Sequence, residues 1–364
     1  MRKFFLAVAT LSLMAGCSSS SSDTPAPSET PSPSTNEQAE QAPQSTASEN
    51  RGSIAVIRNL PSDDHTTQFL AGAVSEGNAL GYTVDTFISN GDDARFQELV
   101  AQQIEKGYDG LIISHGKAEY STQMLEPALA KGMEIVAFDT AFADNIIPDG
   151  ITSTAQDDEA LAKLSLDEII ANTENSPARI LKIWYGPGVP PLDSRQVIYK
   201  EYEDAGLIET LEWIGPSTLD NVQGEVADRV AAVLPKYPAG TVDAMWGSWD
   251  EMAKGGYSAL KEAGRTDINL VSIDVSNQDI NLMMEEGSVW TATAAVDPHM
   301  IGTVSARILV NKLIGEPTPE TYNFEAQIIR KSQLNDDTTM STLSEVVEGW
   351  GASDAFSDTL AGLR

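Results

Sequence analysis

Between residues 106 and 140 the chain reads KGYDGLIISHGKAEYSTQMLEPALAKGMEIVAFDT, and this stretch constrains the fold more than any other. Two short apolar runs, Leu111-Ile112-Ile113 and Ile135-Val136-Ala137-Phe138, each stop at a polar residue. Between them Met124, Leu125, Ala128 and Leu129 recur at helical spacing. The pattern is strand, helix, strand. A strand wetted on one face would alternate polar and apolar residues; an uninterrupted apolar run joined by a crossover helix implies a parallel sheet covered on both faces. Such sheets bind ligands beyond the carboxyl ends of their strands, where loops and helix N-termini converge. Asp139 stands at one such end and Asp274, in LVSID, at another.

The same alternation runs through most of the chain. SIAVIR at 53–58 is a strand; Asp63 or Asp64 caps a helix with Leu70, Ala73, Val74, Gly77 and Leu80 on one face. A strand at 82–88, a helix carrying Phe96, Leu99, Val100 and Ile104, and the strand at 109–114 follow. After Asp139 come a short strand at 151–154 and a helix with Leu161, Leu164, Ile169 and Ile170. A second series begins at Arg179: strand RILKIWY, a helix at 193–205, strand LEWIG, a helix from Asp220 stopped by Pro235, strand VDAMWG, a helix from Asp250, and strand NLVSID. A strand at 289–294, a helix opened by Asp297-Pro298 and a single strand at 322–329 complete the pattern. Two tandem series predict an α/β protein of two doubly wound parallel-sheet lobes. Beyond residue 331 the chain is polar with an apolar patch at 343–350, and either a docked helix or a frayed tail fits it.

The formal net charge is -31, from 23 Lys and Arg against 54 Asp and Glu, which argues against binding nucleic acid through phosphate neutralisation. At the N-terminus Arg2 and Lys3 precede an apolar run at 4–14 that is too short to span a bilayer and has the layout of a secretory signal. It ends in Leu13-Met14-Ala15-Gly16-Cys17, which resembles a bacterial lipoprotein box in which the cysteine is lipidated and becomes the mature N-terminus. Cys17 is the chain's single cysteine, so an internal disulfide is excluded. Residues 18–50 are rich in Ser, Thr, Pro, Glu, Gln and Ala and cannot bury enough surface to offset backbone ordering, so a disordered tether is expected.

With this layout on the page, the segments IAVI (54–57), LGY (80–82), KGYDGLII (106–113), KGMEIVAFD (131–139), WDEMAKG (249–255) and SID (272–274) resemble the solute-binding proteins of sugar ABC transporters, ribose- and galactose-type. The likeness covers residues 53–329. It implies the type I periplasmic binding fold, with two lobes joined by three hinge crossings near 153–156, 295–297 and 323–326, and a sugar held in the cleft. The implied division is 51–154 plus 296–323 for the N-terminal lobe, 155–295 plus 324–340 for the C-terminal lobe, and 341–364 as a tail. Family pocket positions fall on Asn59, Asp63, His65, Thr66, Asp139, Arg195, Leu219, Trp249 and Asp274. The ribose subgroup has an aromatic pair at His65-Thr66, an arginine at Thr140, an asparagine at Trp249 and a glutamine at Val296, which argues against ribose itself. A monomer partnered by an ABC permease, extracytoplasmic and held to the membrane by its lipid, is expected.

These residue types suit a sugar. A carboxylate accepts two hydroxyl hydrogen bonds, Arg donates a planar fork, and an aromatic ring covers the C–H face, a role for Trp249 with Trp184 or Tyr185 as second walls. Other roles stay open at this point: Asp139 and Asp274 also suit turn caps, Arg195 a helix surface, and Trp246 and Trp290 the core. His65, His115 and His299 lack metal-ligand spacing, so no metal is expected; His65 reads as a pocket wall and His115 as a loop residue. Gly186-Pro187-Gly188 lacks the phosphate-loop pattern, and no nucleophile with adjacent base is apparent, so neither cofactor nor enzymatic reaction is assigned. A receptor of the same fold presenting its ligand to a membrane sensor is the alternative to transport.

Overall fold

The computed structural model describes residues 50–218 and 221–364. Cys17, the tether up to residue 49 and Leu219 lie outside the described residues. In chain order the elements are β1 (Ser53–Arg58), α1 (Asp64–Ala79), β2 (Thr83–Ile88), α2 (Asp93–Lys106), β3 (Gly110–Ser114), α3 (Ser121–Ala130), β4 (Glu134–Phe138), β5 (Ile151–Gln156), α4 (Asp158–Ala171), β6 (Ala178–Ile183), α5 (Pro190–Asp204) and β7 (Ile208–Ile214). They continue with α6 (Val222–Val233), β8 (Ala244–Gly247), α7 (Asp250–Glu262), β9 (Asn269–Ile273), α8 (Asn277–Met284), β10 (Trp290–Ala295), α9 (Pro298–Leu313), β11 (Thr321–Phe324) and β12 (Gln327–Arg330).

The strands form two sheets of six, ordered β11-β5-β4-β3-β1-β2 and β12-β10-β9-β8-β6-β7, so the fold is two α/β lobes. The first sheet is parallel throughout, and in the second only β12, paired with β10, runs antiparallel. β3 is buried at every residue and β4 at all but its first, as expected of strands with helices on both faces.

Three departures from the sequence reading carry information. The single strand expected at 322–329 is two: β11 extends the first sheet beside β5, and after Glu325 and Ala326 the chain joins the other sheet as β12. Helix α8 was not foreseen, because NQDINLMM is short and half polar; Ser276 caps it by accepting from Asp279 N. Helix α5 starts at Pro190 rather than 193, because two prolines in its first turn supply a helical φ and need no amide partner there.

Apolar packing falls into three clusters. One lies between the first sheet and α2 and α3, around Phe96, Leu111 and Ile135. A second covers the outer face of the other sheet with α6, α7 and α8, and takes in Leu343, Val347 and Trp350 from the polar C-terminal stretch. The third runs beneath both sheets along α1, α9, α4 and α5, and it includes Val296 and Phe324. Leu360 belongs to this shared core, and Arg364 pairs with Glu76 at 2.6 Å, so the C-terminal stretch is docked along its length.

Candidate functional site

Residues at the carboxyl ends of β1, β3, β9 and β5 face one cleft of about 560 Å³ together with the first turns of α1, α5, α7 and α8. That size lies within the roughly 300–1,000 Å³ of small-molecule pockets. His115 and Asp139 in one lobe and Asp274 in the other follow their strands with φ of 63°, 41° and 71°. This left-handed turn is cheap for Asp and swings each side chain off the sheet edge.

Arg58 ends β1 and is 0% exposed. Its Nε donates to Thr66 Oγ1 at 3.0 Å and its Nη1 to Ser114 Oγ at 3.3 Å, Nη2 lies 2.8 Å from His65 Nδ1, and the guanidinium stacks 4.7 Å from the Phe69 ring centroid. None of these partners is a carboxylate. Burial lowers its pKa to about 10 against the pull of Asp63, Asp139 and Asp274. Since guanidinium only donates, His65 Nδ1 must accept, which leaves the imidazole hydrogen on Nε2. Burial, then the Arg58 charge, depress the His65 pKa to about 3, and the same two causes hold His115 well below its usual value.

In the other lobe Arg195, 2% exposed, is the hub. Nη1 and Nη2 donate to Asp274 Oδ2 and Oδ1 at 2.9 and 3.1 Å, Nε to Asp158 Oδ1 at 2.8 Å, and Nη1 also to Ser248 O at 2.7 Å. Burial opposes the Arg195 charge, but Asp274 and Asp158 outweigh it and raise the pKa. Burial lifts the Asp158 pKa to about 6 even with Arg195 beside it. A second buried network centres on Lys254, whose Nζ lies 3.1 Å from Asp250 and 3.4 Å from Asp279 and also contacts Glu251. Across the cleft Asp64 Oδ2 accepts from Asn277 N at 2.7 Å and Nδ2 at 3.0 Å, so the lobes touch directly at its mouth.

Of the residues singled out in the sequence, Asp63, His65, Arg195, Trp249 and Asp274 line the cleft. Asn59 and Thr66 are set back in supporting roles. Asn59 Nδ2 donates to Asp93 Oδ1 and His115 O at 2.8 and 3.2 Å, and Thr66, besides accepting from Arg58, donates to Pro61 O at 2.8 Å. Asp63 caps α1 through Thr66 N at 2.7 Å, so the cap and wall roles coincide. Asp139 stands behind the wall: its Oδ1 accepts from Gln156 N at 3.2 Å, His115 Nε2 is 3.9 Å from Oδ2, and burial raises its pKa well above the carboxylate range. Trp184 packs on Trp213 with centroids 5.4 Å apart, away from the cleft lining, and Trp246 and Trp290 are core. The lining adds Arg58, Gln156, Asp250, Lys254 and Asn277, which sequence reasoning passed over, and His115, which it read as a loop residue. Arg58 had a visible signal, a charge closing the apolar run Ile54-Ala55-Val56-Ile57. Among the described residues no group of three or more His, Cys, Asp or Glu is placed to hold a metal ion, and no helix is long and apolar enough to cross a membrane.

Comparison with known proteins agrees with this geometry. The family described as periplasmic binding protein domain matches residues 54–317. A sugar ABC transporter structure from Yersinia enterocolitica is 44% identical, with a TM-score of 0.79 over 89% of this chain and 98% of its own. The 5-methylthioribose transporter solute-binding protein of Thermotoga lettingae, solved with 5-methylthioribose, is 26% identical, with a TM-score of 0.78 over 87% and 98% of the two chains. The ribose import binding protein of Escherichia coli K12 is 22% identical over 281 residues, which is 77% of this chain and 91% of that protein. The chain belongs to the periplasmic binding protein family and is homologous to sugar ABC transporter solute-binding proteins.

Proposed function

We propose that this protein is an extracytoplasmic receptor, lipid-anchored through Cys17, that closes two lobes on a monosaccharide-like ligand and delivers it to the permease of an ABC importer. The observation that carries the reading is the facing pair of arginines. Arg58 in one lobe has no carboxylate partner among the described residues, while Arg195 in the other is forked onto Asp274, and both line one cleft that Trp249 also lines. Acceptor carboxylate, donor guanidinium and aromatic face are the complement of a polyol. Relatives described as importing ribose and transporting sugars support the ligand class and the importer. A ligand that touches both lobes binds the closed state better than the open one and so shifts the equilibrium towards closure.

The proposed lobes are residues 51–154 with 296–323 and 155–295 with 324–340, the protein acts as a monomer, and it performs no reaction of its own. A thermal-shift panel of pentoses, hexoses, deoxysugars, polyols and nucleosides on the full chain tests the reading. A matching ligand at saturation stabilises by about 2–4 kcal/mol, and no shift with any of them contradicts sugar capture. Metabolic labelling with a fatty-acid probe tests the anchor: label lost in Cys17→Ser supports it, and label unchanged refutes it.

A further inference from the structure

We infer that the preferred ligand is a sugar carrying an apolar substituent, its hydroxylated ring held deep between the arginines and its apolar arm under the rim of the cleft. The inference rests on the sugar-capture reading above and narrows its ligand class. Each lobe arranges its wall in the same order. On β1 the charged residue, Arg58, is fully buried, and two and three residues further on Leu60 is partly buried and Pro61 exposed. On α5 the charged residue, Arg195, is 2% exposed, and a turn nearer the helix start Val189 and Pro191 are partly buried. Trp249, partly buried at the start of α7, completes the same band.

In each lobe a buried arginine and less buried apolar side chains thus share the wall of the cleft. Several polar groups of the lining are already engaged within the protein: Asp64 with Asn277, Gln223 with Glu251 at 2.6 Å, and Asp63 with Thr66 N. Leu60 belongs to none of the three apolar clusters, so its packing surface is turned to the cleft rather than to the core. Trp249 can cover a C–H face of the sugar ring. Leu60 and Pro61 of one lobe also line the cleft, as do Val189 and Pro191 of the other, where Val189 and Trp249 stand at the edge of the second apolar cluster; these side chains gain most from an apolar group that the closing lobes remove from water together.

The test is calorimetric titration of the full chain with matched pairs: pentoses and hexoses, and the same sugars bearing a methylthio, propyl or phenyl group at C1 or at the terminal carbon. At least one substituted sugar is expected to bind about tenfold or more tightly than its parent. In Leu60→Ser and Val189→Ser, singly and together, the substituted-to-parent ratio is expected to fall at least about threefold. The ratio cancels any general loss from altered folding. Parent sugars that bind as tightly as every substituted partner overturn the inference while leaving sugar capture standing, and so does a ratio unchanged in both variants. Binding of no sugar at all overturns the inference together with the functional reading beneath it.

Discussion

Replacing Arg195 by Met probes the ionic hub that orders the second lobe's wall. A guanidinium has five N–H donors; four hydrogen bonds from Arg195 to Asp158, Ser248 and Asp274 leave one, on Nη2, for a ligand. Its larger task is therefore to neutralise and orient two buried carboxylates. Asp158 already sits at a pKa of about 6 with the arginine present, so without it Asp158 and Asp274 face each other uncompensated. Breaking a buried pair on one side costs about 3–5 kcal/mol, and that loss is expected in urea unfolding of Arg195→Met at pH 7.5 followed by tryptophan fluorescence.

The pH dependence of that loss has a definite sign. An acid whose folded pKa is raised stabilises the fold when protonated, fully below its unfolded value and not at all above its folded one. Arg195→Met should thus recover about 2 kcal/mol relative to the parent protein as pH falls from 7.5 to 5. Adding Asp158→Leu and Asp274→Leu should also restore stability, because an apolar replacement of a whole buried ionic cluster is often neutral. A loss below about 1 kcal/mol, or one independent of pH, refutes the reasoning.

Other perturbations follow from the same geometry. His65, with a folded pKa of about 3 against the usual 6.5, takes up its proton first in the unfolded chain, so its contribution to stability is lost as pH falls through that window. His65→Gln should gain on the parent protein by about 2–3 kcal/mol between pH 7 and pH 4 in urea titrations, and parallel pH profiles refute this. Asp274→Ala should weaken sugar binding by about 2–3 kcal/mol in calorimetry by removing a charge-assisted acceptor, whereas Asp139→Asn, acting from behind Gln156 and His115, should cost less; the reverse order contradicts the assignment. Asp64→Ala removes the contact to Asn277 across the mouth, so ligand release in stopped flow should quicken severalfold, and an unchanged rate would remove the mouth contact from the account.

How far the sequence could be read depended on the kind of signal each part left. Uninterrupted apolar runs such as Leu111-Ile112-Ile113 are forced by burial on both faces, and they gave away the parallel sheets and the tandem lobes. The change of sheet at Glu325-Ala326 left no local mark, because each flanking strand is only four residues long and neither Gly nor Pro separates them; only the family likeness implied a crossing near 323–326. The docked C-terminal stretch was obscured in the same way: Leu343, Val347 and Trp350 are buried, yet they stand among polar neighbours that hide the periodicity. Within the cleft, Asp274 was marked by its place at a strand end, whereas Arg195 and Trp249 rested on family register. Asp139, put forward as a ligand acceptor, stands behind the cleft lining, since a strand-end position predicts the direction of a side chain but not which neighbour stands in front of it. Gln156 and His115 occupy that place, and neither has a local motif.

The most direct measurement is a crystal structure of the protein with the tightest-binding sugar of the panel. The account predicts that the ligand lies between the lobes, with hydroxyls on Arg58, Arg195 and Asp274 and its C–H face on Trp249. A ligand bound elsewhere, or one that touches a single lobe and leaves both arginines uncontacted, would contradict it.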